Sequence, residues 1–187
     1  MSSSRGVRLQ RPHNSLMERA GKVPQFHAGM GQTQAMDLTP EMTACLDEAV
    51  LCWLATADVD GRPNVSPKEV FTSDLDRILI AHIASPKTVR NVEMNPHAMV
   101  SIVDVFAQEG WQFAGEASLV WADSPGFAEI AEPLEAITQG LYPIKAVIVV
   151  DVDKADRIVA PSSWLFPDES EDVVRQRVLS RYGVSDI

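Results

Sequence analysis

Residues 85–91 read Ser-Pro-Lys-Thr-Val-Arg-Asn and combine the residue types that bind a phosphate group. Ser-Pro is a helix-start pattern, and the N–H groups of a first helical turn have no partners inside the helix. Their partial positive charge attracts anions, and Lys87 adds a full charge beside the Thr88 hydroxyl. Asn91 follows one turn later on the same side. The segment predicts an anion site, although a capped surface helix with a solvated lysine would have the same sequence.

A second polar segment lies along a predicted strand that follows the hairpin signal Asp60-Gly61. Alternation places Asn64, Ser66 and Lys68 on one face of that strand. The strand also contains two prolines, which lack the N–H of a sheet ladder and are typical of an edge strand or a strand lining a cleft. A polar strand face indicates either solvent exposure or a polar ligand.

The elements that must position these residues follow from apolar patterning and turn residues. Strands are predicted at about residues 50–56, 64–71, 78–83, 98–106, 111–121 and 146–152. Helices are predicted after Thr39, Ser85, Ser124 and Ser170, with Pro133 expected to kink or split the third. Repeated βαβ units, a dinucleotide glycine fingerprint and a P-loop are absent. Six short, mostly antiparallel strands predict a mainly β (α+β) fold, a small barrel with short flanking helices.

Charge and length restrict the class of protein and the number of domains. The chain has 187 residues and a formal charge of −10, which argues against general nucleic-acid binding. Residues 1–35 hold five basic residues and one acid, and are predicted to be an N-terminal basic arm. Residues 36–187 are predicted to be a single domain with a C-terminal helix, carrying 11 basic and 25 acidic residues.

No apolar run approaches the roughly 18 residues of a membrane span, and no secretory signal is evident, so a cytoplasmic protein is expected. Cys45 and Cys52 fit neither a disulfide framework nor a zinc site, and no spacing of histidines and acids predicts a metal site.

Five stretches in order, residues 54–68, 78–82, 85–96, 98–103 and 111–117, resemble the pyridoxamine-5′-phosphate-oxidase-like FMN-binding split barrels. The likeness covers about residues 40 to 153 and implies a six-stranded antiparallel split β-barrel that binds flavin mononucleotide (FMN). It also implies a homodimer in which each flavin lies between two subunits.

The resemblance assigns cofactor contacts position by position. Those matching the second strand, along which the flavin lies, are Asn64, Val65, Ser66 and Lys68. Those matching the phosphate-binding turn are Ser85, Lys87 and Thr88, with Asn91 nearby. Gln112 matches a polar position on the fifth strand that approaches the flavin ring. Apart from the resemblance, His82 is predicted to end the third strand close to the turn, which makes it a further candidate cofactor contact.

Two features of the namesake oxidases are missing. The second strand lacks their arginine and lysine five residues apart, and no C-terminal Arg-x-His signature occurs, so pyridoxamine phosphate oxidase itself is not expected. The Ser-Pro-Lys version resembles the uncharacterised flavin-nucleotide-binding relatives. The resemblance implies an FMN-dependent oxidoreductase acting on an unidentified small molecule, with NAD(P)H or oxygen as partner. No catalytic residue is assigned, because a flavin carries the redox chemistry itself. The alternatives are a deazaflavin (F420) reductase and a non-catalytic flavin-binding sensor.

Overall fold

The computed structural model describes residues 36–184, and the predicted arm at residues 1–35 lies outside them. The helices are α1 (Pro40–Glu48), α2 (Pro86–Met94), α3 (Phe127–Thr138), α4 (Pro161–Leu165) and α5 (Glu171–Tyr182). The strands are β1 (Cys52–Ala57), β2 (Pro63–Lys68), β3 (Phe71–Asp74), β4 (Arg77–His82), β5 (His97–Asp104), β6 (Glu109–Trp121) and β7 (Ala146–Val159). None of these helices has both the length and the apolar composition of a membrane span.

The strands form one antiparallel sheet in the order β2-β1-β5-β6-β7-β4-β3. β2 and β3 are consecutive in the chain, yet they lie at opposite edges of this sheet. A flat sheet would separate its first and last strands by about 29 Å, whereas the two-residue connection spans only about 10 Å. The sheet must therefore curl until its two edge strands come close together where β2 passes into β3. The Ala81 N–H donates to the Val70 carbonyl at 2.9 Å, which extends the pairing of β3 with β4 by one residue. The expected split β-barrel is confirmed.

The structure has seven strands where the sequence predicts six. The predicted strand at residues 64–71 is divided: β2 ends at Lys68 after pairing with β1, and β3 begins at Phe71 and pairs with β4. The bend at Glu69 and Val70 carries the chain from one edge of the sheet to the other. Pro133 does not split α3, which is one helix of 12 residues.

The barrel interior is apolar. Opposite one another on β1, β5 and β6 lie Leu54, Val100 and Phe113, and all three are fully buried. A second apolar cluster packs α3 against the outer face of β4 and β7 through residues such as Leu79 and Leu134. β4 and β7 are therefore buried on both faces in the region that α3 covers, while β2 is open at its free edge.

Candidate functional site

Three side-chain hydrogen bonds join α2 to the hairpin of β1 and β2. They are Lys68 Nζ to Ser85 Oγ at 2.5 Å, Ser66 Oγ with Thr88 Oγ1 at 3.1 Å, and Asn91 Nδ2 to Thr56 Oγ1 at 3.0 Å. The three residues at α2 are spaced by three, and Ser66 and Lys68 on β2 are spaced by two. At these spacings side chains lie on one side of a helix and on one face of a strand. The polar face predicted for β2 is therefore turned toward α2.

The N-terminus of α2 is left open. Ser85 is the N-cap residue but makes no side-chain capping hydrogen bond, and its Oγ accepts from Lys68. Pro86 has no N–H, and the Val89 N–H bonds the Ser85 carbonyl at 3.2 Å. The N–H groups of Lys87 and Thr88 have no acceptor among the described residues. They are donors of the kind that bind a phosphate.

Lys68 brings a buried positive charge to this opening. The residue is only 5% exposed, and no carboxylate of the described residues pairs with it. Burial lowers the pKa of its ammonium group, while the Cys52 thiol acts weakly in the opposite direction. A buried charge without a counter-ion is costly, so an anion that enters beside Lys68 gains the full attraction.

His82 contacts the N-cap residue of α2. Its Nδ1 accepts the Ser85 N–H at 3.4 Å, and its ring packs edge-on against Trp121 with centroids 6.4 Å apart. Burial lowers the pKa of His82, and the positive charges of Lys145 and Lys68 lower it further. A neutral imidazole is therefore favoured, as an acceptor at Nδ1 requires.

Other predicted residues lie at the margin of this cluster. The Lys87 side chain is exposed on the first turn of α2. Asn64 is half-buried, and its side chain makes no hydrogen bond with the described residues. Asn91 is 4% exposed, and its amide is engaged by Thr56. Asn64 is thus available to a ligand, whereas Asn91 is held within the protein.

Gln112 lies on the opposite face of the sheet. It pairs with Ser101, which pairs with Trp53, whose partner on β2 is Pro67. Opposite residues in a sheet share a face, so this row points away from the side of Ser66 and Lys68. Val65 is on the same outer face and is 57% exposed. One chain therefore does not bring Gln112 and Val65 to the cluster at α2.

A cavity of about 270 Å³ opens beside Lys68 and Ser85. Its lining also includes Val70, Ile83, Glu69 and Tyr142. Sequence reasoning did not select Tyr142, which is in the loop before β7, or Thr56, which is inside an apolar strand. Within residues 36–184, no three His, Cys, Asp or Glu side chains are grouped to hold a metal ion.

Comparison with known proteins gives a family and a curated relative. A family model described as pyridoxamine 5′-phosphate oxidase matches residues 38–160. The heme oxygenase HutZ of Vibrio cholerae is 33% identical over 101 residues, which are 50% of this chain and 56% of HutZ. The chain thus spans about half the length of this curated relative.

Two solved structures show the same fold. HupZ of Group A Streptococcus has a TM-score of 0.54 and 24% identity, covering 63% of this chain and 91% of HupZ. An FMN-binding protein from Syntrophomonas wolfei has a TM-score of 0.55 and 19% identity, covering 64% of this chain and 86% of that protein.

Proposed function

The chain belongs to the pyridoxamine 5′-phosphate oxidase family, and we propose that it binds FMN with the phosphate at the N-terminus of α2. We further propose that it works as a homodimeric, FMN-dependent oxidoreductase on a small molecule, with NAD(P)H or oxygen as the second substrate.

The observation that carries this proposal is the buried, unpaired ammonium group of Lys68 beside two open N–H groups. A phosphate there would accept hydrogen bonds from the backbone of Lys87 and Thr88 and a charge-assisted bond from Lys68. Ser66 and Thr88 share one hydrogen bond but have two hydroxyl hydrogens, so one remains for the ligand. The exposed Lys87 side chain adds long-range attraction.

The protein's part in the chemistry is to bind and orient. A bound flavin supplies hydride transfer without a protein acid or base. The Asn64 amide is free to hydrogen-bond the part of the cofactor that lies along β2. The cavity beside Lys68 and Ser85 has a mixed lining, with Val70 and Ile83 as apolar members and Glu69 as a charged one.

Gln112 supports the homodimer. Because it faces away from Lys68, a site that uses both must take Gln112 from a second chain. The outer face that carries Gln112 also exposes Trp53 at 45%, Val65 at 57% and Val103 at 40%. Large apolar side chains at this density are typical of a surface that another protein covers.

Heme binding is the second candidate, and the match to the heme oxygenase HutZ favours it. An F420 cofactor fits less well, because its polyglutamate tail requires a basic groove and residues 36–187 carry a formal charge of −14.

The absorption spectrum of the purified protein tests these candidates. We expect a flavin spectrum, stoichiometric with the chain, and FMN binding tighter than riboflavin binding in titrations of the ligand-free protein. NADH or NADPH should then bleach the flavin under anaerobic conditions. If the bound flavin is neither reduced by NADH or NADPH nor turned over with oxygen, the result would favour a non-catalytic flavin-binding sensor. A heme Soret band without flavin would contradict the proposal in favour of heme.

A further inference from the structure

The hydrogen bond between Asn91 and Thr56 lies deeper than the other two that hold α2. Both residues are 4% exposed, and Asn91 Nδ2 donates to Thr56 Oγ1 at 3.0 Å. Burying an amide and a hydroxyl is costly unless they bond each other, so this pair fixes the two elements at one point.

This contact is too far along the helix to touch the phosphate. Asn91 follows Ser85 by six residues, which is about 9 Å along the axis of an α-helix. The helix is thus anchored to the sheet at two separated places, by Ser85 and Thr88 at its start and by Asn91 in its second half. Buried Val89 and Val92 hold the helix against the core, and the two hydrogen-bonded anchors add a directional constraint at each end.

The choice of Thr56 as partner also matters for β2. Thr56 lies directly opposite Asn64 in the pairing of β1 with β2. Thr56 bonds Asn91 and not Asn64, whose side chain makes no hydrogen bond with the described residues. The arrangement leaves Asn64 open to a ligand and Asn91 closed to it.

We infer that Thr56 is a positioning residue for phosphate recognition, acting through Asn91 to hold α2 so that the Lys87 and Thr88 N–H groups stay directed at the ligand beside Lys68. This inference rests on the proposed FMN site. It adds to the site a residue that does not contact the cofactor.

Thr56→Val tests it, because valine keeps the branched shape and removes only the hydroxyl. Thr56→Ser keeps the hydroxyl and serves as the rescue. The matched control is Thr138→Val in α3, since Thr138 is also 4% exposed and its hydroxyl donates to the Glu135 carbonyl at 3.1 Å. The measurements are the dissociation constants of FMN and riboflavin, by fluorescence titration, and the melting temperature.

We expect Thr56→Val to weaken FMN binding about fivefold while riboflavin binding changes less than about twofold, the loss of one hydrogen bond at a distance. Thr56→Ser should restore the ratio of the two affinities, and Thr138→Val should lower the melting temperature without changing that ratio. An unchanged ratio in a folded Thr56→Val protein, or an equal loss for both ligands, would overturn the inference and leave the FMN site standing. A wild-type protein with no preference for FMN over riboflavin would overturn both.

Discussion

Helices α1 and α2 begin with the same two-residue pattern, but only α1 has a side-chain cap at its N-terminus. Each has nine residues and starts with a hydroxyl residue followed by proline, Thr39-Pro40 in α1 and Ser85-Pro86 in α2. In α1 the Thr39 hydroxyl accepts the Met42 N–H at 3.3 Å and caps the helix. In α2 the Ser85 hydroxyl is bound by Lys68, and the cap is missing.

Charge follows the same division. The first turn of α1 contains Glu41, which offsets the positive end of the helix dipole, whereas the first turn of α2 contains no acid. In α1, residues of the helix itself bond an N-terminal N–H group and offset the helix dipole. In α2, the first N–H groups and the partial positive charge remain available to a ligand. The difference shows that an open helix end is recognised by what its capping residue is doing, and not by its sequence alone.

The largest effect on FMN binding is expected when α2 is given a capping side chain of its own. Ser85→Asp places a carboxylate next to Lys68 and the open N–H groups, so we expect ligand-free protein to be more stable by about 1 kcal/mol or more. FMN binding should fall by about 100-fold or more, because the carboxylate takes the phosphate's place. Thermal melting and flavin titration measure the two effects. Thr39→Asp is the matched control in α1, and it should leave FMN affinity unchanged.

Removing the buried charge should have the next largest effect. Lys68→Met keeps the length of the side chain, and we expect FMN affinity to fall about 10- to 100-fold, the contribution of a charge-assisted hydrogen bond. The ligand-free variant should be at least as stable as the wild type, since an unpaired ammonium is no longer buried. A variant that lost stability and kept FMN affinity would show that Lys68 is structural.

The pH dependence of stability sharpens the same test. Burial lowers the pKa of Lys68, so between its folded pKa and the ordinary lysine pKa the unfolded chain binds more protons than the folded chain. The stability of ligand-free wild type should therefore rise with pH in that window relative to Lys68→Met. Bound FMN should remove the rise, because the phosphate stabilises the charged lysine. Denaturant unfolding at a series of alkaline pH values measures it.

The smallest effects are expected when the hydroxyl of the N-cap residue is removed from each helix in turn. Thr39→Ala should destabilise the protein by about 1 kcal/mol, since it leaves the Met42 N–H without its acceptor, and should not affect FMN. Ser85→Ala should cost little stability in the helix, but should weaken FMN by about two- to fivefold through the loss of the Lys68 contact. The opposite pattern would mean that α2 is the structural helix and α1 the open one.

How far the sequence could predict this site depends on the distance between partners. The pattern Ser-Pro-Lys-Thr predicted the helix start and its anion-binding donors, because those depend on local structure. The sequence selected both Lys87, in the turn itself, and Lys68, on β2. It did not predict that Lys68, 17 residues before Ser85, is the buried one. That assignment depends on how the barrel closes.

The outer-face position of Gln112 was also beyond local reasoning. Alternation correctly separated Gln112 from Phe113 on β6, but only the register across β5 and β1 shows that Ser66 lies on the same side as Phe113. The extra strand has a similar cause. The bend at Glu69 and Val70 contains no turn signal, and the division of residues 64–71 follows from the pairing of β3 with β4.

The prolines of β2 also bear on the tendency of the protein to aggregate through its sheet edge. Within residues 36–184, β2 pairs with β1 alone. An unpaired strand edge is a template to which strands of other chains can add. Pro63 and Pro67 lie four residues apart, so the N–H groups they lack would all point to the same side of the strand, and prolines within sheets are tolerated on the free edge. An intruding strand would find two donors missing in a strand of six residues. The free edge of β2 is thereby a poor template for aggregation.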